Sequence, residues 1–482
     1  MPSIQMGEDI STYYSDPMQH TVTVEYYSDS YSNDTACGKL LTQLHKDLQR
    51  LDFPYYFVQI VTTNANIQQE LVELHKLYSN EPNPIEYNVV EGKFDKQVYK
   101  GDTVCVFPWI HKYVNPQGLV MPCCIGDEKY PLGNIRESSL SDISTATIQQ
   151  QMLVGQRPDA CSTCWYKEDA GLSSARQIVN KRFAQYREQK NFALRHVDIR
   201  LSNVCNLKCR MCSGKFSNRI AQEEIKLYGS TKYKDEVLSK DLVHKQLQYI
   251  EDNINTIHSV YFAGGEPLIN EEHYSILDLL IKHNKTDIRI DYNTNFSLLS
   301  FKKFDVLEYW QQFSNINVGA SIDLIGAQSN YVRNGVEYEV LEQNYHAIKD
   351  LPNINFNISS VLSLYNIFNL PALQKRWLDL GLDCNNIVFD PLVIPQEQSI
   401  AVLPNKYKQK AKQVIMSHID YLEDFSGSKS LITHWQQALE FMTNNHMYLL
   451  SEFFRLNDDK DRYRNQRFED YFPEYKDLRN YA

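Results

Sequence analysis

With 482 residues the chain is too long for one ordinary core, and length alone predicts roughly two to four domains. Its 43% hydrophobic and 23% charged residues are globular values and exclude a disordered or fibrous chain. The formal charge of -11, with no basic stretch that stands out, argues against general nucleic-acid binding.

No run approaches the ~18 apolar residues of a membrane span, and the polar, acidic start MPSIQMGEDI lacks the layout of a signal peptide. A cytoplasmic location is therefore expected, where thiols stay reduced. The eight cysteines bunched at positions 105, 123, 124, 161, 164, 205, 209 and 212 then read as metal ligands more readily than as disulfides. Cys37 and Cys384 stand apart and read as small packing residues.

In chain order, residues 1–100 give a strand-like run at Thr21 to Tyr27, a helical stretch from Ala36 to Leu51, a β-rich run at Tyr55 to Thr62, an amphipathic stretch from Ile67 to Tyr78, and a last strand at Ile85 to Val90. This βαβαβ order predicts a small α/β domain with a parallel sheet. It carries no phosphate loop or acid-base cluster and reads as a docking or recognition module. Residues 101–180 are punctuated by Cys, Pro and Gly, as in VCVFPWIHKYVNPQGLVMPCC. Such a segment is expected to have little core and to need a staple, which a metal can supply.

Within 190–400, strands are predicted at 196–204, 258–264, 287–293, 315–322, 353–361 and 387–393, with helices at 271–284, 300–313, 339–350 and 370–380. Six strands with helical crossovers predict an α/β fold, a partial (β/α)6 parallel barrel with its site at the strands' C-terminal ends. Residues 401–482 read as a helical extension packed against that barrel.

The first of these strands leads directly into Cys205-Asn-Leu-Lys-Cys209-Arg-Met-Cys212. Three thiolates this close can wrap three corners of an iron-sulfur cubane, leaving its fourth iron open for chemistry. A zinc knot would need a fourth ligand, and His196, His244 and His258 are not at finger-like spacing from the triplet. Val260-Tyr-Phe-Ala-Gly-Gly-Glu-Pro267 ends the second strand, Tyr292-Asn-Thr-Asn295 the third, and Val318-Gly-Ala-Ser-Ile-Asp323 the fourth, with Arg333 downstream. Glycines admit close backbone approach to a ligand, a carboxylate accepts from an ammonium group, and a guanidinium suits a carboxylate.

Together these motifs resemble the radical S-adenosylmethionine (SAM) superfamily, whose signature is C-x3-C-x2-C in the loop after the first barrel strand. The resemblance implies a 4Fe-4S cluster on Cys205, Cys209 and Cys212, the catalytic centre, with SAM chelated to the open iron. One electron from the cluster then breaks the sulfonium bond to C5', giving methionine and a 5'-deoxyadenosyl radical that abstracts hydrogen from substrate. It implies that Gly264, Gly265 and Glu266 hold the SAM amino group, with Asn295, Ser321, Asp323 and Arg333 around the ribose and carboxylate. Met211 stands where the family usually has an aromatic residue, and its thioether can pack against adenine.

Upstream, Cys105-x12-Gly118-x4-Cys123 followed by Cys161-x2-Cys164 resembles the SPASM/twitch extension of the same superfamily, which binds auxiliary 4Fe-4S clusters. Four cysteines suffice for one further cluster, so the shorter twitch form fits, with Cys124 a spare or an alternative to Cys123. A ribbon-like zinc site would use the same four residues. The family usually places this module after the barrel, and here it precedes it. His111 and Trp109 beside it read as packing residues.

The implied function is modification of a peptide or protein side chain, with an electron donor such as flavodoxin or ferredoxin. The alternatives are a small-molecule substrate (sugar, alcohol or nucleotide) or, in another class, a zinc-stapled binding scaffold.

Overall fold

Alternation of apolar and polar residues sets the central sheet. The computed structural model describes residues 103–169, 173–200, 202–231 and 239–482, together with the backbone of four earlier strands. Two compact units emerge, Met1–Lys100 and Gly101–Ala482.

In the first unit, strands Thr12–Asp16, Thr21–Glu25, Tyr56–Thr62 and Ile85–Glu91 form one sheet in chain order. The last three run parallel, while Thr12–Asp16, absent from the expected set, pairs antiparallel with Thr21–Glu25. The expected helical stretches Ala36 to Leu51 and Ile67 to Tyr78, and Cys37, lie outside the described residues.

The second unit is built on six parallel strands in chain order: β1 (His196–Ile199), β2 (Ser259–Phe262), β3 (Arg289–Thr294), β4 (Asn315–Ala320), β5 (Ile354–Leu362) and β6 (Ile387–Pro391). Because side chains alternate with period two, Val260, Phe262, Ile290, Tyr292, Ile316 and Val318 fall on one face, all buried. Each contributes roughly 1.5–3 kcal/mol by leaving water. The crossover helix α1 (Glu271–Lys282) packs on that face. Asn270 caps its start by accepting from the Glu272 N–H, and His273, Tyr274, Ile276, Leu277 and Leu280 form its buried stripe. His273 reaches the Tyr292 hydroxyl at 2.9 Å.

The opposite face is polar. Asp198, Tyr261, Asp291, Asn317 and Asn355 lie side by side across five strands. Asn355 donates to Asn317 at 2.6 Å and Asn317 to Asp291 at 3.1 Å, while Arg200 pairs with Asp198 at 3.0 Å.

The first crossover holds two helices absent from the expected set, Asn218–Tyr228 and Lys240–Asp252. The helix expected at 300–313 is shorter. Residues Ser300–Phe301 and Phe304–Asp305 make a hairpin through Lys302 at positive φ, and the helix is Val306–Trp310, capped by Asp305.

The cysteine-rich segment has more core than expected. Its helices Ala146–Leu153, Ser162–Asp169 and Ala175–Arg182 bring Ile148, Met152 and Trp165 against Trp109 and Ile110. The C-terminal helices Asn405–Leu422, Lys429–Phe441 and Leu450–Arg464 bury Ile415, Trp435 and Phe453 in the same core as the sheet, as does Cys384. Among the described residues no helix is long and apolar enough to cross a membrane.

Candidate functional site

The loop after β1 is zipped to the loop after β2 by backbone hydrogen bonds, and Asn270 Nδ2 donates to Ser202 Oγ at 3.2 Å beside them. The Gly265 N–H donates to the Ser202 carbonyl at 3.0 Å and the Glu266 N–H to that of Val204 at 2.8 Å. Gly265 has no alternative here, since a Cβ would lie 2.1 Å from the Val204 oxygen, while Gly264 adopts φ +108°. The Cys triplet thus begins one residue beyond a fixed backbone contact. Cys205 N–H donates to Asn218 at 3.2 Å, and Cys209 pairs antiparallel with Arg333 across a two-residue ladder.

The three sulfurs face one another. Burial pushes the Cys205 thiol up to about 12, with Cys209 and Glu266 adding to the rise, whereas Cys209 is pulled down because the Cys212 thiol donates to it and Arg333 lies near. N–H donors point at these sulfurs: Leu207 N and Asn295 Nδ2 at 3.5 and 3.9 Å from Cys205 Sγ, and Arg333 Nη1 at 3.8 Å from Cys209 Sγ. Soft thiolates ringed by N–H donors fit an iron-sulfur cluster, and the donors stabilise the charge that remains when iron displaces the protons. Among the described residues no three His, Cys, Asp or Glu close on a single ion position, and a cubane, with its thiolates on separate corners, does not require that.

Glu266 is 3% exposed, and burial raises its carboxyl to about 6. Its oxygens accept from Thr294 Oγ1 at 2.6 Å, Asn295 N–H at 2.7 Å and Leu268 N–H at 3.1 Å, so it ties the end of β3 to that of β2. The Asn295 side chain donates to Asn206 inside the Cys loop at 2.8 Å. Asp323 accepts from Arg333 Nε at 2.6 Å and from the Val361 N–H at 2.8 Å. Ser321 donates to Asn293 at 3.2 Å at the strand ends, and Met211 is partly buried against the core beside Cys212. Gly264 to Glu266, Asn295, Asp323 and Arg333 are thus gathered around the Cys loop by four strand ends.

Sequence spacing gave no sign of one further contributor. Arg210, between Cys209 and Met211, is 0% exposed, and its guanidinium lies 3.6 Å over the Tyr331 ring. It donates to Asp461 at 2.5 Å, to Asn457 at 2.8 Å and to Gln466 at 2.9 Å, while its own carbonyl accepts from Lys460 Nζ at 3.1 Å. Some 250 residues separate these partners, so no local motif could reveal them.

The five upstream cysteines, Cys105, Cys123, Cys124, Cys161 and Cys164, line one cavity of about 200 Å³. Burial pushes the Cys105 and Cys161 thiols up to about 12. Cys105, Cys123, Cys161 and Cys164 lie close enough for their charges to interact, whereas the Cys124 thiol donates to Asp198 on β1. The cavity wall includes Asp198 and Tyr261, so this group of thiols opens onto the polar face of the sheet. Trp109 lies in the segment's core, and His111, fully buried, bonds the His196 carbonyl at 3.1 Å.

A family profile described as an iron-sulfur cluster-binding domain, SPASM, matches residues 105–165, and one described as the radical SAM superfamily matches 199–361. The SPASM domain therefore precedes the radical SAM domain. The radical SAM domain implies a 4Fe-4S cluster and SAM, and the SPASM domain implies auxiliary iron-sulfur clusters. No curated protein matches the chain. Among solved structures, native anSMEcpe with bound AdoMet and Cp18Cys peptide is similar over 48% of this chain and 60% of its own, at 20% identity and a TM-score of 0.33. Streptococcus suis SuiB bound to S-adenosylmethionine is similar over 65% and 68%, at 14% identity and a TM-score of 0.32. The chain thus spans 60% of the length of anSMEcpe. TM-scores of this size do not establish a shared substrate.

Proposed function

From an enzyme that carries a radical SAM domain behind a SPASM domain, we propose reductive cleavage of SAM at Cys205, Cys209 and Cys212, followed by hydrogen abstraction from a peptide or protein side chain. The observation that carries this reading is the triplet itself: three facing thiols on a loop zipped to Gly265 and ringed by N–H donors. When bound, the cluster and SAM supply the electron transfer and the radical. The chain supplies position. Arg333 and Asn295 hold the Cys209 and Cys205 sulfurs, and the Asp323–Arg333 pair offers a guanidinium to a carboxylate. Gly264 and Gly265 let the loop after β2 close on the Cys loop, and Glu266 fixes Asn295 while its own oxygens are held by three donors.

The six strands in chain order suit an open partial barrel around the polar face. A row of amides and paired charges there, Asp198, Asp291, Asn317 and Asn355, offers donors and acceptors to a polar substrate, which suits a peptide and equally the alternative of a sugar, alcohol or nucleotide. Cys105, Cys123, Cys161 and Cys164 would hold one auxiliary cluster, as in the twitch form, beside that face. The reading includes a reducing cytoplasm and a donor such as flavodoxin or ferredoxin. The scaffold alternative gives way to the radical SAM domain.

Anaerobic reconstitution with iron and sulfide, then SAM and dithionite, tests the proposal. Two clusters per chain and 5'-deoxyadenosine support it, whereas tightly held zinc without 5'-deoxyadenosine refutes it.

A further inference from the structure

The helix Leu450–Arg464 lies outside both matched domains, yet it meets Arg210 of the Cys loop through Asn457, Lys460 and Asp461, and Glu223 through Arg464. Asp461, itself buried, accepts from Arg210 Nη2 at 2.5 Å and from the Tyr331 hydroxyl at 2.8 Å. Arg464 pairs with Glu223 at 2.7 Å with both side chains almost wholly buried, and the same carboxylate lies 3.5 Å from Lys208 of the loop. Lys460 differs from these two. Its ammonium donates to a carbonyl, that of Arg210, so its hydrogen bond leaves its charge uncancelled.

The local charges can be tallied by sign. Lys208, Arg210, Arg333, Lys460 and Arg464 are cationic, and Glu223, Glu266, Asp323 and Asp461 anionic, which leaves a surplus of one positive charge around the triplet. Arg210 is matched by Asp461, Arg333 by Asp323 and Arg464 by Glu223. The cations without an ion-pair carboxylate of their own are therefore Lys208 and Lys460. Lys208 sits within 3.5 Å of the Glu223 carboxylate and its side chain is 27% exposed, whereas Lys460 lies close enough to both Glu223 and Cys212 for their charges to interact and makes no ion pair of its own among the described residues. A cluster gains one negative charge when reduced, and a nearby cation in a low-dielectric setting favours that state.

We propose that Lys460 is a positioning residue of the core cluster: together with Gln398 it holds the Arg210 carbonyl, and it supplies a positive charge, only partly offset by the Glu223 that Arg464 already pairs, that eases the cluster's one-electron reduction. The inference rests on the proposed cluster at Cys205, Cys209 and Cys212. It extends the site to a helix that no signature motif marks.

The test is a mediated redox titration of the full, anaerobically reconstituted chain, followed by electron paramagnetic resonance. Lys460→Gln keeps a donor for the Arg210 carbonyl and removes the charge, while Lys460→Arg keeps both. The expected result is unchanged iron content in both variants, a midpoint potential shifted to more negative values in Lys460→Gln, and recovery of the wild-type potential in Lys460→Arg. Should Lys460→Gln destabilise the chain, Phe453→Leu, buried in the same helix, provides a destabilised comparison whose potential is expected to stay at the wild-type value. A Lys460→Gln potential equal to that of wild type, or a shift shared by Phe453→Leu, overturns the inference and leaves the cluster reading standing. If the resonance that responds to the Lys460 variants, as distinct from that of the auxiliary cluster, persists when the three cysteines are replaced by Ala, both are overturned.

Discussion

Gly265 and the carbonyl of Val204 are in such close contact that a single added methyl carbon would stand 2.1 Å from the oxygen. The contact joins two loops at the point where the Cys triplet begins. Gly265→Ala must push the Cys loop from its place, at a cost of about 1–3 kcal/mol for overpacking against rigid backbone. The expected outcome is a chain that keeps its auxiliary iron but loses iron from the triplet, measured as iron and sulfide per chain after reconstitution.

The five upstream thiols are expected to divide four to one. Cys124 donates to Asp198, whereas Cys123, whose charge interacts with that of Cys124, also reaches Cys105 and Cys161. Cys123→Ala and Cys161→Ala should each abolish the auxiliary cluster and leave the core signal, while Cys124→Ala should retain both clusters. Iron content and the resonance spectrum of each variant check this.

The Asp323–Arg333 pair is buried, with side-chain exposures of 2% and 11%. Removing one partner strands the other charge, which typically costs 3–5 kcal/mol at such sites, so Asp323→Ala should lower stability by about that amount. Arg333→Lys, which keeps the charge and loses the planar fork, should weaken SAM binding by roughly tenfold, or about 1.4 kcal/mol. Denaturant melts and equilibrium binding of SAM to reconstituted protein measure the two effects.

His418 gives a pH dependence remote from the site. Its Nε2 meets Gln374 at 2.7 Å, its Nδ1 is buried without a partner, and burial pulls the ring down to about 4 from an ordinary 6.5. The folded chain therefore resists a proton that the unfolded chain accepts. Stability should be full above pH 6.5 and fall between 6.5 and about 4, by up to about 1.4 kcal/mol per pH unit from this group. His418→Gln should flatten that part of the profile in thermal melts.

Much of the core was legible because its signals are local. Alternation in SVYF and RIDYNT gives strands, and the cysteine spacing falls within one loop. Element ends were less legible where turn chemistry decides, as at Lys302 and Asp305, which replace helix by hairpin. The core of the cysteine-rich segment depends on pairing Trp109 with Trp165 across 56 residues, which periodicity does not report. Nothing local in the sequence marks Arg210 as buried, and only its long-range partners Asp461 and Asn457 explain its burial.

The most direct measurement is 5'-deoxyadenosine formed per chain from SAM and dithionite, in the reconstituted protein and in a variant carrying Cys205→Ala, Cys209→Ala and Cys212→Ala. The account predicts steady product from the first and none from the second. Equal rates from the two would contradict it.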